Sequence, residues 1–331
     1  MVVPTSSDKL VTVFGGSGFL GRHVVGALAK RGYRIRVAVR RPDLAGHLRP
    51  MGVVGQIKAI QANVRYRWSL ERAMDGSDVV VNLIGILSES GRQSFDTVHA
   101  FGARAIAEAA RAARIREMVH VSAIGADPDS DIGYLRSKGR GEQAVLETIQ
   151  AAVVVRPSIV FGPEDQFFNR FAAMARVLPV LPLIGGGHTR FQPVYAGDVG
   201  EAVAKAVGQE TKPGIVVELG GPEVVTFREV LERVLKITDR RRVLLPLPFS
   251  VARTMGRVLG MLPGAPLTAE QVAMLRLDNV VSEKASSEGR TLEGIGITPT
   301  ALDLILPTYL KRFREQGEFT RPRPAEQVQE G

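Results

Sequence analysis

The chain has no cysteine. Disulfides, thiolate nucleophiles and thiolate metal ligands are thereby excluded, and the lack of sulfur chemistry fits a reducing compartment. Its five histidines are scattered. None forms the HxH or HExxH spacing of a zinc site, so no metal is expected. No apolar run is long enough to cross a bilayer. Neither a signal peptide nor an Arg-rich transit segment is visible at the amino end, which points to a bacterial cytoplasmic protein or a processed mature one. Internal repeats and low-complexity blocks are missing. The single tryptophan, Trp68, reads as a packing residue.

Basic residues are in excess, 43 Lys and Arg against 34 Asp and Glu, for a net charge of +9. Such a balance suits an anionic membrane surface, a nucleic acid or an acidic protein partner. Aromatics are not interleaved with the basic residues, so nucleic acid is the least favoured of the three. Hydrophobic residues make up 45% of the 331, enough for a sizeable core.

What is present is a strand, a glycine turn and a helix, in that order. Leu10-Val11-Thr12-Val13-Phe14 runs into Gly15-Gly16-Ser17-Gly18-Phe19-Leu20-Gly21, and a helical pattern follows to Lys30. Missing side chains let a pyrophosphate approach the backbone at Gly15 and Gly18, and Gly21 lets the helix sit close to the sheet. The helix N-terminus then offers unpaired N–H groups and a positive dipole end. The spacing is GxxGxxG; the alternative is an ordinary glycine turn. The next strand, 33–39, ends in Arg40-Arg41 where an NAD site usually has an acid. Guanidinium suits a ribose 2′-phosphate, favouring NADP(H). A solvated basic strand end is the other reading.

Apolar strand-like runs at 10–14, 33–39, 57–62, 78–84, 118–122 and 152–155 alternate with helical patterns at 19–31, 69–75, 96–113 and 137–149. That alternation predicts an α/β, Rossmann-type, doubly wound parallel sheet. Past about residue 160 the pattern loosens; a strand at 215–219 and helices near 226–237, 249–262, 268–276 and 299–315 suggest a smaller, mainly helical second domain. The division expected is 8–210 for the NADP(H)-binding domain, 211–316 for docking or substrate, and 317–331 for a flexible tail.

Ser122 closes the fifth strand, and Tyr134 and Lys138 lie four apart at the start of the next helix, on one face. An ammonium can lower the pKa of a phenol and hold a nicotinamide ribose. The phenol can then exchange a proton with a carbonyl that the serine orients. An amphipathic helix start with an exposed lysine is the plainer reading.

With these residues the chain resembles the short-chain dehydrogenase/reductase superfamily, in its atypical and extended branches. Asn63-Val64 resembles the pair that contacts adenine, and Asn82-Leu83-Ile84-Gly85 the loop that passes the cofactor. Arg156-Pro157-Ser158-Ile159-Val160-Phe161-Gly162 and Gln192-Pro193-Val194-Tyr195 resemble later signatures. A narrower resemblance, carried by 134–138, Phe161-Gly162-Pro163-Glu164-Asp165, Phe168-Asn169-Arg170-Phe171, 192–195 and Leu245-Pro246-Leu247-Pro248-Phe249, is to the NADPH-binding accessory subunits of respiratory complex I. It implies a tightly held NADPH or NADP⁺ serving structure or assembly, partners in the peripheral arm, and a place on the cytoplasmic face of a bacterial inner membrane. Two departures stand out: the short interval from Ser122 to Tyr134, and His99 where extended members often have Asn. A turning-over NADPH-dependent reductase or epimerase, and a redox-sensing regulator, are the rival readings. Finally, Val251, Met255, Val258, Leu259 and Leu262 project on one helical face, opposite Arg253 and Arg257. That stripe suits lipid headgroups, a partner or the chain's own core.

Overall fold

Leu10–Phe14 is buried at every position. A strand with apolar contacts on both faces belongs inside a sheet covered by helices. The computed structural model describes residues 8–259 and 268–315. In chain order its first elements are β1 (Leu10–Phe14), α1 (Phe19–Lys30), β2 (Arg34–Val39), β3 (Ile57–Gln61), α2 (Arg67–Met74), β4 (Val79–Asn82), α3 (Phe101–Ala112), β5 (Glu117–Val121), α4 (Gly133–Thr148) and β6 (Val153–Pro157). There follow β7 (Val160–Phe161), α5 (Phe168–Val177), β8 (Val180–Ile184), β9 (Arg190–Phe191), β10 (Val194–Tyr195), α6 (Ala196–Val207) and β11 (Val216–Leu219). The last are β12 (Val225–Thr226), α7 (Phe227–Thr238), β13 (Val243–Leu247), α8 (Phe249–Leu259), α9 (Ala269–Met274), α10 (Glu283–Ser287) and α11 (Leu302–Leu310).

Seven parallel strands pair in the order β11-β6-β5-β4-β1-β2-β3. On one face Val11 and Val13 pack with Val24 and Leu28 of α1 and Val203 of α6. On the other, Phe14 and Val80 pack with Leu70 of α2, Ile106 of α3 and Val145 of α4. This is the doubly wound Rossmann-type arrangement that the alternating pattern predicts. Strand order reverses beside β1, and there the carboxyl ends of the strands open a crevice.

The second layer gathers α5, α7, α8, α9 and α11 around the parallel pair β8–β13. Strand β11, beyond residue 210, is the outermost strand of the large sheet, whereas α5 and β8, well before it, pack in the second layer. One local reading is corrected. Trp68 is 59% exposed, stacked beside Tyr66 with the Arg72 guanidinium 5.3 Å from its ring centroid, so it does not pack in the core. Helix α8 docks through Ala252 and Gly256, its buried residues, while Met255 and Leu259 of the apolar stripe line the cleft described below. Val251 and Val258 of that stripe face solvent, and Leu262 lies outside the described residues, as does the tail from 317.

Candidate functional site

A cleft of about 1480 Å³ opens where β1 meets α1. Gly15 takes φ +79°, and a Cβ there would stand 3.2 Å from the Ile84 nitrogen, so the left-handed turn admits no other residue easily. Gly18 caps α1 without any side-chain hydrogen bond, and no acid occupies the first turn. The first N–H groups of α1 therefore remain available to an anion. A Cβ on Gly21 would meet the Gly15 oxygen and the Gly16 carbon at 2.5 Å, which explains how closely the helix seats on the turn. Gly15, Ser17, Gly18, Phe19, Leu20 and Gly21 line the cleft. Gly16 does not; it is buried behind the turn, against Val37 and Val13.

The two arginines after β2 diverge. Arg40 lines the cleft and donates to Gln93 Oε1 at 3.1 Å. Arg41 is 70% exposed, pairs with Asp43 at 3.1 Å and is not among the lining residues. Three further arginines, Arg65, Arg92 and Arg170, line the cleft, and the first two were not anticipated. Arg65 donates to the Arg92 carbonyl at 2.7 Å, which ties the 63–65 loop to the 86–93 loop. No periodicity marks either loop; only their charge was visible. Asn63, Val64, Leu83, Ile84, Gly85 and Pro157 all line the cleft. Asn82 shapes the third of these loops: its Oδ1 accepts from Ile84 N at 3.1 Å while its Nδ2 donates to His120 Nδ1 at 3.0 Å.

Ser122 and Tyr134 share the cleft wall. The Ser122 Oγ is buried and has no hydrogen-bond partner in the protein. Lys138, one turn along α4, is buried behind Tyr134 and donates to the Val121 carbonyl at 3.2 Å. A Cβ added to Gly85 would lie 3.4 Å from its Nζ, so the ammonium stands beside the loop that follows β4. Burial lowers Lys138 from 10.5 to about 8, against the pull of Glu142, and pushes the Tyr134 phenol up to about 12. At neutral pH the phenol is thus a proton donor and not a base.

His99 belongs to a π turn, Asp96–Ala100, that leads into α3. Its Nε2 accepts from Ile86 N at 3.0 Å, so the proton sits on Nδ1 and is donated to Ser137 Oγ at 2.9 Å. Ser137 Oγ in turn donates to the Tyr134 carbonyl at 2.8 Å. The imidazole ring meets the Tyr134 ring edge-on, 5.4 Å between centroids. Burial, then the Lys138 ammonium, hold His99 down to about 2, so it is neutral and works as a structural clamp. Glu270 of α9, unforeseen, accepts from Tyr134 N at 2.7 Å and so caps α4 from the second layer.

An orphaned serine oxygen, an ammonium with one carbonyl acceptor and uncapped helix N–H groups suit a dinucleotide. The sequence profile of the NAD dependent epimerase/dehydratase family matches residues 11–220. The chain belongs to this family. Members and neighbours differ in what they do. NADH dehydrogenase (ubiquinone) 1 alpha subcomplex subunit 9, mitochondrial, of Mus musculus is 33% identical over 97% of this chain and 86% of its own. A ceramide reductase of Caulobacter vibrioides is 31% identical over 77% of this chain and 78% of its own. Among solved structures, the NADPH-dependent quinone oxidoreductase QOR2 of Escherichia coli, complexed with NADPH, aligns with a TM-score of 0.70 at 20% identity. It covers 91% of this chain and 99% of its own, and at that identity the likeness speaks for the fold. In this epimerase/dehydratase family member the glycine turn, Ser122 and Tyr134 line one cleft at the strand reversal, with Lys138 buried behind Tyr134.

Proposed function

We propose that the protein is an NADP(H)-binding accessory subunit of respiratory complex I, its cofactor serving structure or assembly. The observation that carries this is the 33% identity to a complex I subunit across 97% of the chain, which reaches through both layers and not only the dinucleotide fold. NADP(H) is preferred to NAD(H) because Arg40, with Arg65 and Arg92 in the same cleft, supplies guanidinium donors where a 2′-phosphate would stand. Catalytic-type residues Ser122, Tyr134 and Lys138 would chiefly hold the ribose and close the pocket. Docking would use the second layer, within the peripheral arm, on the cytoplasmic face of a bacterial inner membrane. The exposed Val251 and Val258 of α8, with Arg253 and Arg257 on the same helix, suit an anionic lipid surface. None of the described helices is long and apolar enough to cross a membrane.

A second reading is a turning-over reductase, favoured by the Ser122–Tyr134–Lys138 group and by the ceramide reductase relative. A bound nicotinamide would supply hydride. Tyr134, protonated at neutral pH, would donate its proton to the carbonyl oxygen that Ser122 orients, and Lys138 would steady the phenol and ribose. Four experiments test these readings, of which purification and Tyr134→Phe divide them. Purification from membranes in mild detergent should bring down complex I subunits, and denaturation should release NADP(H); free protein that yields only NAD, or nothing, sinks the first reading. Arg40→Ser should weaken NADP(H) at least tenfold and spare NAD(H). Tyr134→Phe should leave assembly intact, whereas an enzyme would lose about 10²–10⁴-fold in rate.

A further inference from the structure

The cleft is too large for its dinucleotide half alone. Ordinary ligand sites span about 300–1,000 Å³, and this one reaches about 1480 Å³. Beyond Tyr134 its wall passes to α5, β8, β13, α8 and α9. That wall presents Phe171, Met174, Leu245, Met255, Leu259 and Met274. Leu245 and Met255 are 54% and 42% exposed, so a long apolar lining faces solvent in the isolated chain. The thioether side chains adapt to a flexible apolar occupant. Two charged groups on this wall are paired: Arg170 donates to Gln271 Oε1 at 3.3 Å, and Asp278 meets Arg190, which lies off the wall, at 2.7 Å. A nucleotide-sugar would need donors for a second pyrophosphate, and this wall carries no cluster of cations among its described residues. The two halves meet at Tyr134: its backbone N–H is held by Glu270, and the neighbouring Gln271 lines the apolar side.

We infer that the second half of the cleft binds the hydrocarbon chain of a single-chain lipid whose polar end carries a carbonyl. The chain lies along Phe171, Met174 and Leu245, and the carbonyl oxygen reaches the Tyr134 hydroxyl and the unpartnered Ser122 Oγ. This deepens the function proposed above by naming what shares the cleft with the dinucleotide.

The test is calorimetric titration of the full chain with 2-octanone, 2-decanone and 2-dodecanone, with and without saturating NADP⁺, which blocks reduction. Affinity should rise about fourfold per methylene added. Leu245→Asp, at a half-exposed position, and Met174→Asp should each cost at least tenfold for 2-dodecanone while NADP⁺ affinity stays as in the parent, which also shows that the variants fold. A flat chain-length series, variants that bind like the parent, or UDP-glucose displacing 2-dodecanone would each overturn the inference. If the chain-length dependence persists in protein that binds no NADP⁺, the cofactor reading fails and this one stands.

Discussion

His99 is neutral because ionising it would strand a charge between Phe95, Tyr134 and the Lys138 ammonium. His120, fully buried on β5, is likewise held down to about 3 by burial and then by Lys138. The unfolded chain binds both protons near 6.5, and the folded chain refuses them until far lower pH. Stability is therefore full above 6.5 and falls on acidification, by about 1.4 kcal/mol per pH unit for each histidine. His23 is lowered by burial too, so His99→Asn, which keeps an acceptor for Ile86 N, removes one of three such titrations. Urea unfolding between pH 6 and 4 should show a shallower acid slope than the parent's; an unchanged slope would exclude His99 as a source. At this scale type and spacing pointed to Ser122, Tyr134 and Arg40, which line the cleft, and to Lys138, which lies buried behind Tyr134. They could not separate Arg40 from Arg41. Which of two adjacent arginines faces the cleft depends on the backbone after β2, where Arg41 turns toward Pro42 and Asp43.

Among the elements, α4 depends on a residue from far along the chain. Its N-cap, Ile132, makes no side-chain hydrogen bond, and the Glu270 carboxylate accepts from Tyr134 N in its place. A carboxylate at a helix N-terminus stabilises both the orphan N–H and the dipole. Glu270→Ala should cost about 1 kcal/mol in chemical denaturation, and Glu270→Gln, which keeps the acceptor but loses the charge, should cost less. Equal losses would mean that the charge does not matter. Strands β1, β4 and β6 were readable because buried parallel strands are near-continuous apolar runs, and β2 because its apolar residues alternate with Arg34 and Arg36. Helices α5 and α6 and strand β8 were not. The β8–β13 pairing joins Val180–Ile184 to Val243–Leu247, and no local pattern announces a partner so distant. In α6, Gly197 and Gly200 weaken the helical signal, yet a Cβ on Gly200 would press to 2.9 Å against the His23 backbone of α1.

For the whole molecule, the proposed cofactor should act as a clamp by mass action. A ligand at a hundredfold excess over its Kd adds about 2.7 kcal/mol to the folded state. Thermal unfolding should therefore rise with NADP⁺ in a concentration-dependent way and rise less with NAD⁺ at the same concentration; matching curves would argue against Arg40 as the discriminating group. The chain returns to its first sheet after building part of the second layer, since β11 joins β6 only once α5, β8 and α6 have been laid down. Neither half is thus a contiguous piece of polypeptide. Cutting the gene at codon 210 would tear away the terminal stave and bare the β6 flank, leaving two fragments that each lack a member the other holds.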